Sequence, residues 1–353
     1  MKTAIVYDRV NKWGGAERVL LALHEMFPDA PLYTSVYDEW ATPWAKVFPK
    51  IYTSFLQKIP FAKNAHEFLG TFMPLAFEQF SFDGYDLVIS VTSEAAKGIM
   101  TKPGTKHICY MLTPTRYLWS HYDLYFGNPL LRLISKPAIN YLRSWDRIAA
   151  QRPDKIVAIS TEVKRRIKKY YGRDSEVIFP PVEIGKWRKL RKSYYLLVSR
   201  LDFGYKNVEL AIKVFNKIKK PLVVVGTGRQ SSKLKSMSRK NIKFVGRVSD
   251  AELERYYLGA KALIMPQEED FGLVSVEAQS YGVPVIAYGK GGVLDTVVDG
   301  KTGILFSEQN IKSLTDAIEK FEKTKFVVDN LYTNAQRFTE DIFKKEFLRI
   351  INL

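Results

Sequence analysis

Short apolar runs alternate along this chain with longer stretches whose apolar positions recur at three- and four-residue steps. Short runs bounded by turn residues predict buried strands, and the periodic stretches predict amphipathic helices. In the first half the strands fall at 3–7, 31–36, 86–92, 107–112, 155–160 and 176–179. Helices at 16–26, 130–151 and 161–171 lie among the segments between them. The second half repeats the rhythm, with strands at 195–199, 222–225, 242–245, 262–265, 284–287 and 304–306. Such alternation predicts parallel sheets covered by helices on both faces, so the expected fold class is α/β with two Rossmann-like domains.

The break between the halves falls at Phe179-Pro180-Pro181-Val182. Proline lacks a backbone donor and holds φ near −65°, so a pair of prolines suits a stiff connector rather than a strand or helix interior. A basic stretch follows, with Lys186, Arg188, Lys189, Arg191 and Lys192. The expected domains are 1–182 and 183–338, with 339–353 a closing helix that packs back on the first. Length agrees, because 353 residues exceed the roughly 250–300 at which single cores stop growing.

Charge narrows the chemistry. The formal net charge is +17, which predicts attraction to phosphate in nucleic acid, in an anionic membrane face or in a phosphorylated ligand. No helix-turn-helix, zinc or aromatic RNA-binding signature accompanies it, so a nucleic-acid partner is the weaker alternative. Cys109 is the only cysteine, which excludes an intrachain disulfide and suits a reducing, cytoplasmic setting. The first residues read as a buried strand and not as a secretory leader. No apolar run approaches the roughly 18 residues that suggest a spanning helix, so membrane contact is expected to be peripheral, at the inner face.

Much of the excess charge lies in 130–173, at Arg132, Lys136, Arg143, Arg147, Arg152, Lys164, Arg165, Arg166, Lys168 and Lys169. Interleaved with these are Leu131, Leu133, Ile134, Tyr141, Leu142 and Trp145. A helix lying on anionic lipid carries this pattern. So does an ordinary surface helix whose apolar side is core.

Four strand-to-helix turns are candidates for anion binding, because ligands of parallel sheets sit beyond the carboxyl ends of strands and helix N-termini favour negative charge. The first is Asn11-Lys-Trp-Gly14-Gly15-Ala16-Glu17, although a tight turn explains two glycines equally well. The second, after the strand at 195–199, carries Arg200 and Lys206, a guanidinium fork and a point charge that suit a diphosphate. The third is Pro266-Gln-Glu-Glu269-Asp-Phe271-Gly272-Leu273, which opens a helix over 273–281 and places Glu277 about two turns beyond Glu269. These carboxylates are too far apart to share a proton and suit opposite ends of an extended ligand. Alone, they read equally as a helix cap and a solvated face. The fourth is Gly289-Lys-Gly291-Gly292-Val-Leu-Asp295.

The spacing Glu269-x7-Glu277 with Phe271-Gly272 inside it resembles the signature of retaining glycosyltransferases of family 4, which have the GT-B fold. Ser199-Arg200-Leu201 with Lys206, the Gly14-Gly15 loop, and Gly291-Gly292 followed by Asp295 where that family has Glu are similar to its other elements. Thr113-Pro114-Thr-Arg116-Tyr117-Leu118-Trp119 resembles the mannosyltransferase-like branch that builds surface glycans. The resemblance implies two Rossmann-like domains facing each other across a cleft, an acceptor-binding first domain and a donor-binding second. It implies a retaining, metal-independent hexosyltransferase without a cofactor, whose donor is GDP-mannose first or a UDP-sugar second, and whose acceptor is a glycan or a lipid-linked glycan. By that resemblance Arg200 and Lys206 hold the donor diphosphate and Glu277 the ribose. Glu269, with the N–H groups of Phe271, Gly272 and Leu273, holds the sugar. Gly14 and Gly15 close on the phosphate, and Arg247 and Val248 flank the base. Glu269, Arg200 and Lys206 carry the catalytic role, Glu269 by positioning.

Leu112 stands where many relatives have a histidine before Thr-Pro, a departure that implies altered sugar choice or a non-catalytic sugar-nucleotide binder. His107 and His121 are not equivalent to it and read as structural or surface residues. A dehydrogenase reading of Val225-Gly226-Thr-Gly228-Arg-Gln-Ser231 fails at the third fingerprint position, which is Ser.

Overall fold

The computed structural model describes residues 1–60, 66–186, 188, 193–202 and 204–352. Lys189, Arg191 and Lys192 of the basic stretch, and Leu353 of the closing helix, lie outside the described residues. The chain divides into two compact units, Met1–Pro181 with Phe343–Leu353, and Val182–Ile342.

Among the described residues the first unit holds β1 (Thr3–Tyr7), β2 (Leu32–Thr34), β3 (Ile51–Thr53), β4 (Leu87–Thr92), β5 (Lys106–Met111), β6 (Lys155–Ala158) and β7 (Glu176–Val177). They form one sheet in the order β3-β2-β1-β4-β5-β6-β7, parallel throughout. Side chains alternate between the faces along each strand, so Ile5 and Tyr7 enter one apolar core while Ala4 and Val6 enter another. Both faces are covered, which is why the strand reads as an unbroken apolar run rather than an alternating one. The three residues of β3 are each only half-buried and form the sheet edge. The apolar pattern did not predict this strand, because so short a half-exposed segment has no buried run.

The second unit holds β8 (Tyr194–Val198), β9 (Leu222–Val225), β10 (Ile242–Gly246), β11 (Ala260–Met265), β12 (Val285–Tyr288) and β13 (Gly303–Phe306). Their order is β10-β9-β8-β11-β12-β13, again all parallel. Tyr195 and Leu197 face the core made by the helices Val208–Ile218 and Ile311–Lys323, while Leu196 faces the core of the helices Asp250–Gly259 and Leu273–Ser280. The helix Asp250–Gly259 begins with a capping box, in which Ser249 and Glu252 satisfy each other's backbone donors.

The helix Glu340–Ile351 closes the chain. Its Phe343, Phe347 and Ile350 are buried in the core that contains Ile5 and Tyr110, with the rings of Tyr110 and Phe343 at 5.7 Å. Polar contacts border this apolar seam: Lys106 Nζ donates to the carbonyl of Ile351 at 2.8 Å, and Arg349 meets Glu176 at 2.9 Å. Removing one such aromatic side chain leaves a void that packed neighbours fill only in part. Phe347→Ala is expected to cost the first unit about 3–5 kcal/mol, read from the shift of its urea midpoint at unchanged slope.

Candidate functional site

In the second unit the strand order reverses between β8 and β11, since β9 and β10 lie on one side of β8 and β12 and β13 lie beyond β11. Connections leaving adjacent strands in opposite directions leave a crevice at their carboxyl ends, where parallel sheets bind ligands. The turns after β8 and β11 emerge at that point. β8 runs into the exposed Arg200, and a single tight turn, Gly204–Lys206, brings Lys206 to the start of the helix Val208–Ile218. Asn207 makes the junction at φ 50°, a left-handed conformation that asparagine tolerates better than most residues. β11 runs into Gln267 and Glu269 and then, through the left-handed Gly272 (φ 94°), into the helix Leu273–Ser280.

These turns meet in an ion pair. Lys206 Nζ lies 2.5 Å from Glu269 Oε1, with the two side chains 11% and 18% exposed. The buried Gln267 donates from Nε2 to the same carboxylate oxygen at 2.9 Å. Glu269 is thus held by side chains from both turns, and the N-cap position of the following helix is Gly272. Glu277 is half-buried on that helix, and its Oε2 accepts from the hydroxyl of Tyr257 at 2.8 Å. The ring of Tyr257 is stacked on Tyr281 at 5.4 Å, so Glu277 is fixed from beneath and is not a solvated face residue.

Close backbone approach binds the neighbouring turns to one another. A Cβ on Gly226 would sit 1.9 Å from the Ser199 carbonyl oxygen, and one on Gly228 would sit 2.2 Å from the Leu201 carbonyl carbon. Leu201 N donates to Thr227 O at 2.9 Å and Gln230 N to Leu201 O at 2.9 Å. On the other side, a Cβ on Gly291 would meet Glu269 O at 2.4 Å, and Gly292 N donates to Glu269 O at 2.8 Å. The Gly291-Gly292 pair thus lets its turn lie against the backbone that carries Glu269. Phe271 buries its ring against Phe338 at 5.4 Å. Gly272 and Leu273 are half-buried, as is Val248, and Arg247 is exposed after β10.

The first unit has its own reversal, between β1 and β4. Asp8 ends β1 as a buried carboxylate and gathers donors from the turn after β4. Thr92 Oγ1 and the N–H groups of Ala95 and Ala96 reach Oδ1 at 2.8, 2.9 and 2.8 Å, and those of Ser93 and Glu94 reach Oδ2 at 2.6 and 3.0 Å. Gly14 is exposed and Gly15 half-buried at the start of the helix Gly15–Met26. Glu17, two residues on from Gly15, is buried and accepts from Tyr7 Oη at 3.2 Å. Burial pushes its carboxyl above the ordinary range, while hydrogen bonds from the backbone of Glu17, the hydroxyl of Tyr7 and the backbone of Gly14 partly offset this. This is the acidic half of a capping box, with glycine in the place of serine.

Thr113 follows β5, and among the described residues its buried Oγ1 has no hydrogen-bond partner. Thr115 joins a fully buried pair: Lys97 Nζ lies 2.6 Å from Asp146 Oδ1, both side chains 1% exposed. Asp146 also accepts from Thr115 Oγ1 at 2.8 Å, Trp119 Nε1 at 2.7 Å and Tyr171 Oη at 2.7 Å. Leu112 packs partly buried against an apolar core. His107 is buried, with Nε2 2.8 Å from Ser90 Oγ, and burial holds its pKa down at about 3.

Sequence reasoning missed Asp8, Tyr257 and the Lys97–Asp146 pair, and gave no role to Gln267 and Glu17, although both stand in the turns it named. Only Asp8 left a usable signal, a carboxylate directly after a buried strand.

The helix Pro129–Ala149 turns Ile139, Leu142, Asp146 and Ala149 inward. Its first two turns do not follow: Leu133 and Ile134 are each 69% exposed, and Leu130 and Leu131 are exposed too. Several of its cations are already engaged. Arg143 lies over Tyr122 at 4.5 Å and Arg147 over Trp119 at 4.9 Å, while Arg165 and Arg166 on the next helix are bound to Glu162. Among the described residues no helix is long and apolar enough to cross a membrane.

A buried ion pair is most costly when only one partner is removed. Asp146→Ala, which strands the Lys97 ammonium, should destabilise the first unit by about 3–5 kcal/mol. The double variant Asp146→Ala with Lys97→Met should recover part of that loss in urea unfolding.

Residues 183–338 match the model of the family described as glycosyl transferases group 1. An uncharacterized glycosyltransferase of Haemophilus influenzae is 28% identical over 220 residues, 57% of this chain. The aligned stretch spans 58% of that relative's length. Among solved structures, the lipopolysaccharide outer core galactosyltransferase WaaB in its apo form has a TM-score of 0.69 at 20% identity, covering 99% of both chains. HepE of Anabaena in complex with UDP and glucose has a TM-score of 0.70 at 18% identity, covering 100% of this chain and 99% of that one. The segment that carries Arg200, Lys206, Glu269 and Glu277 thus matches the glycosyl transferases group 1 family, on a chain whose two parallel-sheet Rossmann-like units have the fold of GT-B glycosyltransferase structures.

Proposed function

We propose that this chain is a retaining glycosyltransferase that moves a hexosyl group from a nucleotide sugar to a glycan or lipid-linked acceptor. One observation carries the reading. Lys206 and Glu269, distant in sequence, converge at the strand-order reversal of the unit that matches the family.

On this reading Arg200 and Lys206 hold the donor diphosphate and stabilise charge growing on its departing oxygen, work that fixed cations do without reorganising. Glu269 orients the sugar hydroxyls, and the N–H groups of Phe271, Gly272 and Leu273 assist at the helix start. Glu277 holds the ribose, and Arg247 and Val248 flank the base. The bond from the anomeric carbon to the phosphate oxygen breaks as the acceptor oxygen bonds on the same face, and the acceptor proton passes to the departing phosphate. No protein nucleophile is required.

GDP-mannose is the first choice of donor, from the stretch 113–119, and a UDP-sugar is the second. HepE, a neighbour in fold, is described with UDP and glucose, which supports the second choice. Peripheral contact with anionic lipid at the inner membrane face belongs to the same reading. It is supported by the exposed leucines and isoleucine at the start of the helix Pro129–Ala149, with Lys136 beside them, while Arg132 is paired with Asp123. On this reading the donor is a substrate, and neither a metal nor a cofactor is assigned a role.

Glu277→Ala should weaken nucleotide-sugar binding by roughly 1.5–3 kcal/mol, the loss of a hydrogen bond to a charged group. Calorimetric affinities equal to wild type for GDP-mannose and UDP-glucose would remove that role. The double variant Leu133→Ser with Ile134→Ser should release the protein from vesicles of anionic phosphatidylglycerol in a sedimentation assay. Equal sedimentation of variant and wild type would disconnect this helix from lipid.

A further inference from the structure

The proposed roles of Lys206 and Glu269 differ, one on the diphosphate and one on the sugar, yet the two side chains are bonded to each other. The carboxylate is the fixed member of the pair. Gln267 donates to Oε1 at 2.9 Å. The backbone of Glu269 bridges to Gly291 and accepts from Gly292 N at 2.8 Å. Gln309 Nε2 donates to Pro266 O at 2.7 Å, fixing the turn from the other end. Lys206, by contrast, brings a point charge on a flexible stem with donors to spare.

A diphosphate that takes contact with Lys206 therefore arrives beside a carboxylate that Gln267 and the backbone of its turn hold in place. Like charges in a partly buried site repel more strongly than in water. A nucleotide sugar brings hydroxyl donors with its phosphates, and these can satisfy Glu269 as Lys206 turns to phosphate. A nucleoside diphosphate brings charge and no such donors.

Resting on the glycosyltransferase reading, we propose that Glu269, held in place by Gln267, discriminates by charge between the nucleotide sugar and the bare nucleoside diphosphate. Gln267 is then a positioning residue for Glu269. The pair Lys206–Glu269 opens for the sugar-loaded donor and re-forms as the diphosphate product leaves. Glu269 thereby favours release of product as well as orientation of substrate.

The experiment measures affinities of GDP, UDP, GDP-mannose and UDP-glucose by calorimetry for wild type, Glu269→Gln and Gln267→Met, with thermal melts to confirm folding. Glu269→Gln keeps the shape and removes the charge. It should bind the preferred nucleoside diphosphate about three- to tenfold more tightly than wild type, as removal of a like charge does, and should lose preference for the matching nucleotide sugar. Gln267→Met should shift the ratio of the two affinities the same way, and decides the matter if Glu269→Gln fails to fold. A purely structural role would weaken both ligands together. Diphosphate affinity that is unchanged or weaker in folded Glu269→Gln, or an unchanged ratio of affinities in folded Gln267→Met, overturns this inference alone. Absence of binding by any of the four nucleotides to wild type overturns it together with the glycosyltransferase reading.

Discussion

Parallel strands can be laid beside one another only if each connection crosses a face of the sheet, and a sheet that grows in both directions from its first strand must reverse once. In the second unit the reversal lies between β8 and β11. At that point the connections leave two adjacent strands in opposite directions, so the turns after them lie next to each other. Lys206 and Glu269 sit in these two turns, and their 2.5 Å contact follows from that placement. The chemistry attributed to the unit depends on this geometry more than on any single side chain.

Holding turns at a sheet edge requires that backbones touch, and glycine alone permits several of the contacts seen. Gly226 presses on Ser199 and Gly292 on Asp270, at separations no Cβ could share. The turns on either side of the reversal are thus supported by their neighbours and not only by their own hydrogen bonds. In the first unit a buried carboxylate takes the corresponding role. Asp8 consumes the N–H groups of the turn after β4, so that turn is rigid without glycine at its tip. The neighbouring Lys97–Asp146 pair is buried, and three further donors to the carboxylate offset its desolvation.

The excess of positive charge is spread unevenly in its effects. Arg165 and Arg166 are bound by Glu162, and Arg143 and Arg147 lie on aromatic rings, so these cations support local structure. Arg200 and Arg247 remain exposed at the carboxyl edge of the second sheet. Counting charges therefore overstates how basic any one surface is, and the placement of a few cations matters more than the total.

Apolar periodicity determined where most elements lie. β1, β9 and the helix Thr161–Tyr171 have the bounds their apolar patterns predict, because a buried strand or an amphipathic helix needs a core-facing residue at every position its geometry turns inward. The same patterning placed Arg200, Lys206 and Glu269 just beyond strand ends. It was silent on β3, whose half-exposed edge position demands no apolar run. It was equally silent on partners. Nothing in the spacing couples Tyr257 to Glu277 or Gln267 to Glu269, since neighbours in a helix or turn can point in many directions until the chain is packed. Periodicity is a local property, whereas the order of strands in a sheet is a choice among long-range pairings. Only the folded chain decided which strand ends became neighbours, and so which charges met.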